Sequence, residues 1–146
     1  MPVDKVLVKR KLSLISEDLI RLKSISKLSF AEYIDNFENE ILAERYLERI
    51  IGRMIDINYH IVTEMGRPAP RDYYNSFIEL GKLKVVSPAL SHELAGSAGL
   101  RNHISHEYDD IDEKKIYAAV KNCFTGLPKY LNSINSFLKK KLIDPR

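Results

Sequence analysis

Arg101-Asn102-His103-Ile104-Ser105-His106-Glu107-Tyr108 puts a permanent cation, a titratable imidazole and a phenol within eight residues. A guanidinium grips a phosphate through forked, charge-assisted hydrogen bonds, an imidazole moves protons near neutral pH, and a phenol can bind or be modified. Together they are the parts of a site that cleaves phosphodiesters. On an ideal helix Arg101 and Tyr108 are nearly eclipsed and Asn102 and His106 share a face, but Arg101 and His106 lie about 140° apart. Their convergence on one phosphate requires a helix end, a distortion or a second subunit. His103 and His106, with Glu107, also have the spacing of a metal pair. No His-Glu-x-x-His pattern or cysteine pair accompanies them, and His60 and His92 complete no set, so no metal site is assigned.

A second polar set lies upstream. At about 100° per residue, Arg45, Arg49, Arg53, Asp56 and His60 fall within roughly 80° of one another on one helix face. A solvated face with Arg49–Asp56 or Arg53–Asp56 pairs explains this stripe. So does a cleft wall, in which Asp56 and His60 organise groups on a neighbouring helix and the arginines supply positive potential for a phosphate backbone.

The elements that must carry these groups are helices. Val8, Leu12, Ile15, Leu19 and Leu22 recur at steps of three and four and predict a first helix over 3–27. Ser29-Phe30-Ala31-Glu32 is a capping box that opens a short helix, and a long one carries Ile41 through Met65 to a stop at Gly66-Arg67-Pro68. Tyr73, Tyr74, Phe77 and Ile78 mark a shorter helix. Ser87-Pro88 starts the one that ends in the Arg101 segment. After Asp109-Asp110-Ile111-Asp112, the stripe Ile116, Val120, Cys123, Leu127, Leu131, Ile134 and Leu138 predicts a last helix, which Pro128 should bend. No strand alternation competes. The fold class is all-α, an antiparallel up-and-down bundle of four to five helices in a single domain over 1–146.

Composition fits that reading. With 45% hydrophobic and 29% charged residues the 146-residue chain is globular, and no apolar run approaches a membrane span. One cysteine forms no internal disulfide, and the start lacks the layout of a secretory signal, so a cytoplasmic setting is expected. The net charge of +3 permits contact with nucleic acid without requiring it. A role for Lys139, Lys140, Lys141 and Arg146 is not assigned, since a basic C-terminal end suits a frayed helix terminus.

The spacing Arg, four residues, His, one residue, Tyr, met by Arg101, His106 and Tyr108 with Asn102 after the arginine, resembles the HEPN-domain toxins of the HepT type. The likeness extends from about Leu14 to about Leu138. It takes in Glu48-Arg49, Ile55-Asp56-Ile57-Asn58-Tyr59-His60 and the segment 70–80. His103 and Ser105 depart from it where apolar or small residues are more usual. The resemblance implies a HEPN-like helical homodimer whose motif helices meet in a composite, metal-independent endoribonuclease site with no cofactor. Arg101 would grip the phosphate, Asn102 would orient phosphate or imidazole, and His106 would transfer a proton as an RNA 2′-hydroxyl attacks. It further implies the toxin role in a type VII-like toxin–antitoxin pair acting on transfer or messenger RNA. A minimal nucleotidyltransferase antitoxin would silence it by moving AMP from ATP to Tyr108. Arg49, Asp56 and His60 are carried as candidate cleft supports. Two other readings stand beside this one: a non-catalytic helical partner that presents a nucleotide or substrate to a nucleotidyltransferase, and a plain structural bundle. Nothing in the chain encodes base-edge readout, so the RNA target stays open.

Overall fold

The computed structural model describes residues 3–106 and 110–143, with side chains up to Lys140. Six α-helices follow in chain order, α1 (Lys5–Ser26), α2 (Phe30–Asp35), α3 (Phe37–Glu64), α4 (Tyr73–Lys82), α5 (Pro88–His106) and α6 (Glu113–Ile143), with no strand among the described residues. The short helix expected after Ser29 forms as α2 and is the sixth beside the four to five of the bundle; the Ser29 hydroxyl accepts from Glu32 N–H and the Glu32 carboxylate accepts from Ser29 N–H. The long helix begins at Phe37, earlier than its apolar stripe, because the Asn36 side chain caps it by accepting from Glu38 N–H at 3.0 Å. It stops where expected. Gly66 takes φ +85, and the N–H groups of Gly66 and Arg67 return to the carbonyls of Thr63 and Val62, which closes a Schellman motif.

α6 continues through Pro128 to Ile143. Its stripe joins those of α1 and α3 in one buried cluster that includes Ile15, Leu47, Ile57, Ile116 and Ile134. Inside this core a polar chain links three helices. Asn58 donates to Ser76 Oγ at 3.2 Å and accepts from the Tyr130 hydroxyl at 2.7 Å, and Ser76 in turn donates to the Tyr73 carbonyl at 2.7 Å. Each polar group of this chain of bonds thus keeps a partner, and the first turn of α4 is pinned to Asn58 of α3, which Tyr130 of α6 also holds. Between α4 and α5 the approach is close: a Cβ on Gly81 would collide with the Ser91 side chain.

The α1–α3 seam holds a charge rather than only apolar contacts. Asp18 is fully buried, and its carboxylate meets Arg21 Nη1 at 3.0 Å, Arg49 Nε at 3.1 Å and Arg53 Nη1 at 2.8 Å. The expected Arg49–Asp56 and Arg53–Asp56 pairs do not form. A buried carboxylate needs compensation far more than an exposed one does, and Asp56 on the surface pairs with Lys11 instead.

A corner of α2, α3 and α6 collects acids. The Tyr33 hydroxyl donates to Glu113 Oε1 at 2.6 Å. Burial, then a hydrogen bond with Glu113 and the charges of Glu113 and Glu40, push the Glu44 carboxyl up to about 8. Burial also raises Glu40 and, with Glu113, the Tyr33 phenol. The folded chain therefore holds a proton at Glu44 where the unfolded chain has released it. Stability falls as pH rises from the ordinary value of 4.5 to about 8 and levels off above. Glu44→Gln should remove this loss. Melting curves of variant and wild type should nearly coincide near the bottom of that window and separate towards its top. The variant should lead there by about 2–4 °C, the equivalent of roughly 1 kcal/mol once solvent screening of a part-exposed group is allowed for. Parallel curves across the window would rule the assignment out.

Candidate functional site

α5 is started by Ser87, whose hydroxyl accepts from Leu90 N–H at 3.2 Å, followed by Pro88 at the first helical position. Leu90, Leu94, Ala95, Ala98 and Ile104 are its buried apolar residues and, with buried Ser91, fix its rotation. Three residues beyond Ala98, Arg101 sits in register with the inward stripe and is half-buried. Asn102 and His106 point outward and are exposed.

The outward residues share an opening. Gly99, Asn102, His103 and His106 line a shallow concavity of about 380 Å³, and Arg101 is not among its walls. His103 is tied down, since its Nε2 accepts from Asp112 N–H at 3.0 Å across to the residue that caps α6. The adjacent Ser105 donates to Glu48 Oε2 of α3 at 3.0 Å, while Glu48 Oε1 meets Arg45 at 3.3 Å.

Arg101 turns the other way, into the angle between α3 and α4. Its guanidinium carbon lies 5.4 Å from the centre of the Tyr73 ring, and its Nε is buried without a hydrogen-bond partner. Room for it comes from Gly52 of α3, where a Cβ would lie 3.4 Å from that Nε. Tyr73 is held in turn by a T-shaped contact with Tyr59, with ring centres 6.3 Å apart at 85°. At the start of α4, Asp72 accepts from Asn75 N–H at 2.8 Å. A cation set on an aromatic face keeps its terminal N–H donors for a ligand, which a carboxylate partner would have occupied.

The structure thus brings Asn102, His103 and His106 together and sets Arg101 apart from them within one protomer, as the helical spacing implies. Arg49, Asp56 and His60 join neither group. Arg49 is on Asp18, Asp56 is on Lys11, and His60 Nε2 accepts from Asp4 N–H at 2.9 Å, so all three face α1. In the protomer they wall no cleft with α5. Tyr108, with Glu107 and Asp109, lies outside the described residues. Tyr73, Gly52 and the Glu48–Ser105 contact were not anticipated as parts of the site. The signal for Gly52 was a glycine deep inside a long helix, where it serves no cap and lowers helix propensity. Asp18 was legible too, at the apolar spacing three after Ile15 and four before Leu22.

Among the described residues no group of three or more His, Cys, Asp and Glu side chains could hold a metal ion. None of the helices searched there is long and apolar enough to cross a membrane. A more apolar groove of about 320 Å³ opens between α3, α5 and α6 beside Cys123, whose thiol burial pushes up to about 12. Arg101, Asn102 and His106 do not line it, so it is not the candidate site.

Residues 15–134 match the family described as Ribonuclease HepT-like. The chain is 36% identical over 136 residues to the tRNA nuclease HepT of Aphanizomenon flos-aquae, covering 93% of this chain and 92% of that protein. In fold it superposes on the cytosolic protein YutE of Bacillus subtilis with a TM-score of 0.85 at 20% identity, over 96% of this chain and 94% of that one. It also superposes on the tri-AMPylated HEPN toxin of Shewanella oneidensis, solved in complex with MNT antitoxin, with a TM-score of 0.80 at 20% identity over 89% and 97%. On the length of the family match and the level of identity, this chain belongs to the ribonuclease HepT-like family and is a ribonuclease built on the HEPN helical fold.

Proposed function

We propose that the chain, a single domain, is the toxin of a toxin–antitoxin pair, a metal-independent endoribonuclease that acts in the cytoplasm on transfer RNA. The observation that carries this reading is the end of α5, where a guanidinium with uncommitted terminal donors and an exposed imidazole leave one helix on two sides, in a chain 36% identical to a tRNA nuclease. Two groups that one protomer holds apart can serve one phosphate when a second copy packs against the outward face of α5 at Gly99, Asn102 and His106. A homodimer then offers the Arg101 of one protomer and the His106 of its partner to a common backbone.

Arg101 binds the non-bridging oxygens and offsets the charge that grows on them. His106 takes the proton of the 2′-hydroxyl as its oxygen bonds to phosphorus. The P–O5′ bond breaks, O5′ gains a proton, and the products are a 2′,3′-cyclic phosphate and a 5′-hydroxyl end. Asn102, one helical turn before His106, orients the imidazole or the phosphate. Control comes from a minimal nucleotidyltransferase partner, a role supported by the AMPylated state of the Shewanella neighbour. The Tyr108 oxygen attacks the α-phosphorus of ATP, pyrophosphate leaves, and the resulting phosphodiester adds negative charge and bulk to the motif, which repels an RNA phosphate.

The test is expression of the chain with and without the partner. Alone it should arrest growth of a bacterial host and leave transfer RNA fragments with cyclic-phosphate ends, undiminished by a chelator in vitro. With the partner and ATP, mass spectrometry should find AMP on Tyr108 and growth should recover. A chain that neither arrests growth nor cuts RNA would instead be a binding module for the nucleotidyltransferase. AMP found only on another residue would overturn the acceptor assignment.

A further inference from the structure

We infer that Tyr73 and Gly52 are positioning residues for the reaction: they form a slot, an aromatic floor on α4 and a missing side chain on α3, that sets the guanidinium of Arg101. The inference rests on the reading of Arg101 as the phosphate-binding group. Three observations carry it. The guanidinium carbon is 5.4 Å from the Tyr73 ring centre. The Arg101 Nε is buried with no partner, so no hydrogen bond at that atom fixes the side chain. A Cβ at position 52 would stand 3.4 Å from Nε and 3.9 Å from one terminal nitrogen, so a longer side chain would fill the space the guanidinium occupies.

Packing therefore does the orienting that a carboxylate does elsewhere. A carboxylate partner would bind the same forked donors as a phosphate and compete with it, whereas an aromatic face holds the cation and leaves its edge open. The floor itself is supported. Ser76 donates to the Tyr73 carbonyl and accepts from buried Asn58, and Tyr59 makes a T-shaped contact with the ring, so the floor is anchored to the core at the first turn of α4.

The experiment is steady-state cleavage of transfer RNA by the full chain, with kcat and KM measured separately and the folded fraction checked by melting. Tyr73→Leu removes the aromatic face, and Gly52→Leu fills the slot. Tyr73→Phe keeps the face, and Gly52→Ala reaches only ordinary contact distance, so these two are the conservative rescues. A guanidinium displaced by about 1 Å loses on the order of 10–100-fold in kcat. That loss is expected in both leucine variants, with KM changed less than kcat, whereas Tyr73→Phe and Gly52→Ala should stay within about threefold of wild type. Single-turnover rates in an Arg101→Ala background separate positioning from mere support. There Tyr73→Leu should cause no further loss, because the group it positions is gone.

An equal additional loss in that background, or full activity of Tyr73→Leu beside an inactive Arg101→Ala, would overturn the inference and leave the assignment of Arg101 standing. Wild-type cleavage by Arg101→Ala would instead overturn that assignment itself. Should Gly52→Leu fail to fold, Tyr73→Leu at a part-exposed ring still decides the matter.

Discussion

His106→Ala should retain the wild-type fold and lose about 10²–10⁴ of the cleavage rate, the range in which a positioned acid or base contributes. The two parts of that expectation come from different observations. Ile104, buried at 7% exposure, anchors the inner face of the last turns of α5, whereas His106 projects from the outer face into an open concavity. Truncating an exposed side chain of this kind changes stability by about 0.5 kcal/mol or less, so the melting temperature should stay within roughly 2 °C. The loss should fall on kcat, because an imidazole that transfers a proton acts in the transition state more than in substrate binding. Arg101→Lys should behave differently. It keeps the charge but not the fork, so it should raise KM and lower kcat together. If His106→Ala cleaves at the wild-type rate, the imidazole has no part in the proton transfer and the nuclease chemistry must be assigned to other groups.

The sequence carried the helices and the motif further than it carried their mutual placement. Helix starts were legible because short-range chemistry writes them: Ser29 with Glu32, and Ser87 with Pro88, act within one turn. The stop of α3 at Gly66 was legible for the same reason, since a left-handed residue at that position needs a glycine. What crossed between helices was harder. The arginines of α3 looked like candidates for Asp56 because both lie on one helix. A buried Asp18 from α1 captured Arg49 and Arg53, and a pairing across 31 or more residues leaves no local pattern. The angular gap between Arg101 and His106 followed from helical geometry alone, and the protomer preserves it. That Arg101 rests on Tyr73 could not be read from spacing, because it depends on how α4 docks against α3 through the Asn58–Ser76 bond.

Asp18 is where substitution should affect stability most. Its carboxylate has no exposure and is compensated by Arg21, Arg49 and Arg53, whose side chains remain 47%, 34% and 20% exposed. Asp18→Leu leaves three guanidinium groups converging on an apolar side chain, and Asp18→Asn turns an amide donor towards donors. Either change should destabilise the fold by about 3 kcal/mol, the low end for removing one partner of a buried ionic cluster because the arginines keep some water. For a chain of this size that is a fall of roughly 6–12 °C in melting temperature. Adding Arg49→Met and Arg53→Met to Asp18→Leu should recover most of the fall, since replacing the whole cluster removes the stranded charges together with the buried one. Cleavage below the transition should stay within about threefold of wild type, because the cluster lies on the α1–α3 seam, away from the Tyr73 slot and the His106 concavity. The opposite pattern, an unchanged melting temperature with a lost activity, would reverse the assignment. Arg49, and Asp56 and His60 farther along the same stripe, would then belong to the RNA-binding cleft and not to the seam with α1.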